Sequence, residues 1–385
     1  MPGPESYGAA IRHEWNLDPE FLTVNHGSYG ATPKPVLAAQ RAWQARMEAQ
    51  PTRFFAREFF VLLRQAAARL ATFVGVEPDD LVFVENATVG CNAVLRSIDF
   101  LPGDEIVVLT HGYGAVLKTA RYVAARHRAR VVEVPVPFPA RDDAALLDSL
   151  AAALGPRTRL AVLDHITSAS ALLLPLAEMA AACHARAVPV LADGAHAPGN
   201  IALNIPATGA DYYVGNCHKW LMAPKGCGFL WARRERQDGL HPVTISHGYG
   251  SGFLAEFDWT GTRDMSAYLA VTAALDFHQR LGGPALRARN TALAAEAAAM
   301  LAGRLGTSTV QGNAASHAMA LVRLPIRGEV DPERALALRE RLLELGTDAP
   351  INALAGAAWL RISAQAYNDI RDFDQLAHIV TVLTT

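Results

Sequence analysis

Lys219 stands between His218 and Trp220 and is followed by the glycine-rich run Pro224-Lys225-Gly226-Cys227-Gly228. Asp193 directly follows the apolar run 188–192, and 26 residues separate it from the lysine. A carboxylate at the end of a buried strand loses hydration and needs a positive or donating partner. A lysine among apolar neighbours has the complementary need. The gap is one helix-and-strand excursion, so both side chains can reach one ligand from neighbouring strands. One chemistry uses the two groups together. Pyridoxal phosphate carries an aldehyde that forms a Schiff base with a lysine, and a ring nitrogen that needs an acid beside it.

The rest of such a cofactor finds hosts along the chain. Ala87 and Thr88 open a helical pattern near 88–98, where free N–H groups and the helix dipole favour a phosphate. Thr88 also suits a plain N-cap. Tyr113 offers a flat face to the pyridine ring, although an aromatic after a strand equally fits an ordinary core. His196 and Ser168 are candidates for the ring hydroxyl oxygen. Asn216 and His218 flank the lysine and suit phosphate oxygens. No Cys or His grouping has metal-ligand spacing, so no metal is expected.

These residues share a place in a larger pattern. Short apolar runs at 81–84, 105–109, 130–134, 160–163, 188–192, 212–215 and 228–231 read as strands. Helical stretches near 88–98, 114–128, 142–153 and 175–186 lie between several of them. Continuous apolar strands separated by helices predict an α/β fold with a mostly parallel sheet covered on both faces. Ligands of such sheets bind at the carboxyl ends of the strands. That edge is loaded here: Glu85-Asn86-Ala87-Thr88, Thr110-His111-Gly112-Tyr113, Asp164-His165-Ile166-Thr167-Ser168, Asp193-Gly194-Ala195-His196 and Asn216-Cys217-His218-Lys219 each follow a strand. Five such segments in succession point to one pocket. After Gly261 the pattern changes to Ala- and Leu-rich helices over 264–304, a strand at 318–323, a helix at 332–345 and a strand at 359–362, a smaller α+β domain. The expected division is an N-terminal segment 1–20 packing on the small domain, a large domain 21–262 and a small domain 263–385 that includes the connecting helix.

The 385 residues carry 35 Lys+Arg against 37 Asp+Glu, a net charge of −2, with 51% hydrophobic residues. That composition belongs to a compact globular chain and excludes disorder. Near-neutrality argues against nucleic-acid or anionic-membrane partners, which need a concentrated basic field. Cys91, Cys183, Cys217 and Cys227 form no CxxC pair and read as reduced thiols. The first fifteen residues have no apolar signal-peptide core, and no apolar run approaches the ~18–20 residues that cross a bilayer. A cytoplasmic location is expected.

At these residues the chain resembles the class V aminotransferase family of fold-type-I pyridoxal-phosphate enzymes, within it the isopenicillin-N-epimerase-like branch. The resemblance rests on Val24-Asn25-His26-Gly27-Ser28-Tyr29-Gly30, Glu85-Asn86-Ala87-Thr88-Val89-Gly90, Asp193-Gly194-Ala195-His196-Ala197-Pro198-Gly199, Gly215-Asn216-Cys217-His218-Lys219-Trp220, Gly261-Thr262-Arg263-Asp264 and the run from Trp359 through Arg361 to Asn368. It implies a homodimer with active sites at the subunit interface. It also implies a Schiff base on Lys219, the pyridinium contact on Asp193 and ring stacking on Tyr113. Thr262 would reach the phosphate of the partner subunit. Arg361 would hold the substrate carboxylate, a task that suits the guanidinium fork. Asn25, His26 and Arg53 are candidates for the substrate pocket.

Two departures from the family bear on the reaction. Related cysteine desulfurases carry a reactive cysteine about 15 residues before the carboxylate arginine, whereas Leu345-Gly346-Thr347-Asp348-Ala349-Pro350 has none. A desulfurase is therefore disfavoured. Relatives usually read Ser-Pro-Thr-Gly where this chain has Ser168-Ala169-Ser170-Ala171, which suggests a shifted substrate preference. The expected activity is epimerase-like or C–S β-lyase-like on an amino acid. Transamination is the alternative reaction, and a non-catalytic pyridoxal-phosphate-binding regulator is the alternative of another class.

Overall fold

A computed structural model of the chain describes residues 7–310 and 316–384. The first six residues of the expected N-terminal segment lie outside the described residues. After a short strand β1 (Leu22–Thr23) come β2 (Leu81–Val84), β3 (Glu105–Leu109), β4 (Arg130–Val134), β5 (Thr158–Asp164), β6 (Val190–Asp193), β7 (Tyr212–Asn216) and β8 (Gly228–Ala232). Helices Ala87–Ser97, Gly114–His127, Asp143–Ala153 and Leu176–His184 separate the earlier strands. The seven strands from β2 to β8 form one sheet in the order β2-β8-β7-β6-β5-β3-β4. Its β4-β3-β5-β6-β7 section is parallel, and β8 runs antiparallel to both of its neighbours. The α/β reading with a mostly parallel sheet holds. β2, β3, β5, β6, β7 and β8 are buried along their length apart from Arg159, as strands covered on both faces must be.

The reversal of β8 matters for the site. Because β2 and β7 both pair antiparallel to it, their carboxyl ends lie at the same edge as the amino end of β8. The loop before β8, with Lys225 and Gly226, therefore joins the carboxyl ends of the other strands.

The C-terminal part has a three-stranded antiparallel sheet of β9 (Met319–Arg323), β11 (Ile351–Leu354) and β12 (Ala357–Ser363), with β12 in the middle. Helices Pro284–Leu305, Pro332–Glu344 and Ile370–Thr384 accompany it. A two-residue strand β10 (Thr347–Asp348) pairs parallel with β1 and ties the two ends of the chain together. The β11–β12 turn is Ala355-Gly356, both with positive φ, the requirement of a tight two-residue hairpin. Sequence pattern misses β11 because Asn352 and Ala353 lack β character and the strand is half-buried.

Two helices before the sheet, Lys34–Ala49 and Phe59–Val74, fill a region to which the strand pattern assigns nothing. The second buries Phe59, Leu63, Ala66, Ala67, Leu70, Ala71 and Val74, a helical repeat that ends at Gly75 with φ of +77°. Residues ahead of β1 join distant parts of the chain. Gly8 donates its N–H to Ala366, Arg12 pairs with Asp372, and Trp15 packs edge-on against Tyr367 and Phe277.

Candidate active site

The loaded strand edge closes over one cavity of about 500 Å3. Ala87, Thr88, Tyr113, Ser168, Asp193, His196, Asn216, His218 and Lys219 all line it. Nine of the positions singled out by sequence pattern thus share one space.

Lys219 is buried, and its Nζ lies 3.2 Å from His196 Nε2. Burial, and then the charge of Arg361, pull its pKa down to about 7 against the opposing pull of Asp193. Near neutral pH its amine is therefore substantially uncharged. A free lysine could not supply such a nucleophile or base.

Asp193 ends β6 and accepts a hydrogen bond from the Ala195 N–H at 3.0 Å. Asp164 ends β5 at the matching register position and lines the same cavity. Both carboxyl groups are buried, and two charges cannot share that space cheaply. Burial and the Asp193 charge push Asp164 well above the usual carboxylate range, so Asp164 holds the proton. Burial also raises Asp193, but the Ala195 N–H and Lys219 oppose the rise, so the first proton of the pair goes to Asp164.

The polar end of the cavity sits at the start of the helix Ala87–Ser97. Asn86, rather than Thr88, is the N-cap: its side-chain oxygen accepts the Val89 N–H at 3.0 Å. Asparagine caps well because its oxygen reaches the third helical N–H. Thr88 lies inside the first turn and faces the cavity. The Asn216 side chain accepts the Ala87 N–H at 2.8 Å, which fastens β7 to this helix start and already occupies that donor. His218 Nδ1 donates to the Cys227 carbonyl at 3.2 Å, which fixes the ring beside Lys219.

Arg361, in the middle strand of the small sheet, is buried at the boundary with the large one. Its Nη1 donates to the Ser168 carbonyl at 2.6 Å, and its Nη2 to Ser28 Oγ at 2.8 Å and Asn25 Oδ1 at 3.2 Å. Its Nε is buried without a hydrogen-bond partner among the described residues. Ser28 and Ser168 both line the cavity, so the arginine reaches it through their shell.

Besides Arg361, four sequence candidates lie outside the cavity lining. Asn25 donates to Asp348 at 2.6 Å and accepts from Ser28 and Arg361. His26 is buried behind Lys219 with both ring nitrogens engaged: Nε2 donates to the Lys219 carbonyl at 3.0 Å and Nδ1 accepts from the Tyr367 hydroxyl at 2.9 Å. Arg53 is exposed and pairs with Glu58 at 2.9 Å, outside the cavity lining. Thr262 is exposed and also outside that lining, while its neighbour Arg263 pairs with Glu85 at the cavity wall.

Comparison with known proteins supplies a family. The family model described as aminotransferase class-V matches residues 29–376. The chain belongs to that family. The resemblance carried by the motifs is borne out, including its branch. An L-cysteine desulfhydrase of Arabidopsis thaliana, described as probable and chloroplastic, is 33% identical over 95% of this chain and 83% of its own length. Isopenicillin N epimerase of Streptomyces clavuligerus is 33% identical over 96% of both chains. Among solved structures, the cystine C–S lyase C-DES bound to cysteine persulfide shares the fold with a TM-score of 0.78 at 24% identity, over 94% of this chain and 97% of that one. The apo cysteine desulfurase of Thermococcus onnurineus does so with a TM-score of 0.82 at 17% identity, over 100% and 98%.

Within this class-V chain, sequence pattern left several cavity residues without a role. Asp164 carries the same signal as Asp193, an acid closing an apolar strand, and that signal suffices to find it. Glu85, Tyr29 and Lys225 lie in the quoted motifs, but only the strand order brings them to the cavity.

Proposed function

We propose that this class-V enzyme uses pyridoxal phosphate and acts at Cα or Cβ of an amino acid, in an epimerase-like or C–S β-lyase-like reaction. The observation that carries the reading is one cavity lined by a buried lysine whose pKa falls to about 7 and by a buried aspartate, with a buried arginine behind its Ser28 and Ser168 wall. The residues fit the cofactor: Lys219 suits its aldehyde, Asp193 its ring nitrogen, Tyr113 its ring face, His196 and Ser168 its ring oxygen, and Thr88 and His218 its phosphate. Bound there, pyridoxal phosphate would supply an aldehyde for amine exchange and a ring that accepts the electron pair released at Cα.

The chain's own groups do the rest. The unpartnered Arg361 Nε, with the serines around it, suits a substrate carboxylate. The amine of Lys219, neutral for much of the time near pH 7, accepts the Cα proton and can return it. Asp164 takes the first proton of the pair, which favours the charged form of Asp193. Relatives named for cysteine desulfhydration and for isopenicillin N epimerisation favour these two outcomes. Cysteine desulfuration remains disfavoured, because all four cysteines are buried and none lies in the segment before Arg361. Thr262, exposed and away from the cavity of its own chain, is suited to reach across a homodimer interface. The four free buried thiols suit a reducing compartment such as the cytoplasm.

Borohydride treatment of the purified protein should bleach a visible absorption band and leave a stable label on the Lys219 peptide, with no label in Lys219→Ala. A colourless protein refutes the cofactor. A panel of L-amino acids and cysteine conjugates in D2O should yield Cα-deuterated substrate. Sulfide with pyruvate identifies a lyase, the D-enantiomer an epimerase, and a keto acid without sulfide an aminotransferase. Colour without any exchange would make the chain a binding protein.

A further inference from the structure

His196 is buried against Lys219, and its two nitrogens face different partners. The Trp220 indole Nε1 donates to His196 Nδ1 at 3.4 Å, while His196 Nε2 lies 3.2 Å from Lys219 Nζ. An indole N–H can only donate, so Nδ1 must be the accepting nitrogen. The imidazole is neutral, because burial and the surrounding Lys219, Arg361, His317 and His218 oppose a positive charge on it. A neutral imidazole whose Nδ1 accepts carries its single proton on Nε2. That proton points at the lysine nitrogen, so the lysine must accept it with a lone pair. Only the uncharged amine has one.

We propose that Trp220 is a positioning residue that locks His196 in its Nε2–H tautomer, so that His196 donates to the Lys219 nitrogen and holds it as the neutral amine. The next residue in the chain thereby tunes the lysine through a side chain 24 residues away. Without the indole donor, the other tautomer becomes available. Its bare Nε2 would accept from an ammonium and favour the charged lysine. The remaining charges around the amine, Arg361 opposing protonation and Asp193 favouring it, stay the same in either tautomer. The lock stands on hydrogen-bond geometry and on the burial that keeps the imidazole neutral, while its use in catalysis rests on the role proposed above for Lys219.

The test is the pH dependence of trace acetylation of Lys219, read by peptide mass spectrometry on the full chain freed of bound aldehyde. In Trp220→Phe the acetylation midpoint should rise by about one pH unit, which slows the reaction about fivefold at pH 7. In a His196→Ala background the same tryptophan change should shift nothing further. An unchanged midpoint in folded Trp220→Phe overturns the proposal, as does an equal shift without His196, which would assign the effect to packing. Long-range 15N–1H spectra of histidine-labelled wild-type protein give a second measurement that needs no variant: His196 should be protonated on Nε2, and protonation on Nδ1 refutes the lock. None of these readouts uses cofactor or substrate, so a protein that fails as an enzyme would still report on the tautomer.

Discussion

Asp193 and Asp164 are chemically the same residue at matching positions of adjacent parallel strands, yet burial raises Asp164 further than Asp193. Both accept backbone N–H bonds, Asp193 from Ala195 and Asp164 from Tyr113 and its own amide, but only Asp193 has Lys219 to favour its charge, and that charge in turn raises Asp164. Replacing a protonated carboxyl by an amide keeps its shape and its capacity to donate. Asp164→Asn should therefore change cofactor affinity by less than about threefold. Asp193→Asn removes a charge-assisted bond worth about 1.5–3 kcal/mol and should weaken binding about 10–100-fold. Titration of the cofactor-free variants with pyridoxal phosphate, followed by absorbance, separates them. Equal losses at both positions would contradict the assignment of the charge. An acid after an apolar strand could be read from sequence at both positions. Which one keeps the proton depends on neighbours that only the folded chain supplies.

The lysine is held by elements that arrive from far along the chain. The short turn before Lys34–Ala49 passes so close to the Lys219 segment that a Cβ on Gly30 would sit 1.9 Å from the His218 carbonyl oxygen. The backbone there has φ of +71°, which disfavours any side chain. Gly30→Ala should cost about 2–4 kcal/mol, since both the strained backbone and the overlap must be relieved by moving the 218–219 segment. Chemical denaturation measures the loss, and a variant as stable as wild type would refute this close approach. His26 belongs to the same device, because it joins the Lys219 carbonyl to Tyr367. The motif around Asn25 and His26 was legible as functional. Its placement behind the lysine was not, because a hydrogen bond between residues 193 positions apart leaves no periodic signal.

Across the molecule, burial withholds protons from histidines. His26 is held down at about 3 and His165, His218, His278 and His317 at about 4, with His111 and His196 lowered as well, in each case chiefly by desolvation. An unfolded chain protonates these groups near pH 6.5, so below that value it binds more protons than the folded one and stability falls with pH. The raised carboxyls of Asp164, Asp193 and Asp258 act in the opposite direction, but they are fewer. Each uncompensated proton costs about 1.4 kcal/mol per pH unit. The urea midpoint should therefore drop steadily from pH 6.5 to 4.5. A midpoint that rises on acidification would contradict the balance. The sequence by itself determined the class of fold and the polar character of the edge, because hydrophobic period and strand-end polarity are local properties, and its motifs carried the resemblance to the family. The tertiary structure alone decided that β8 reverses and brings Lys225 into the cavity, that Arg361 reaches it through Ser28 and Ser168, and that Arg53 lies outside it. Those outcomes depend on strand order and on contacts between distant segments, and no local pattern of residues encodes them.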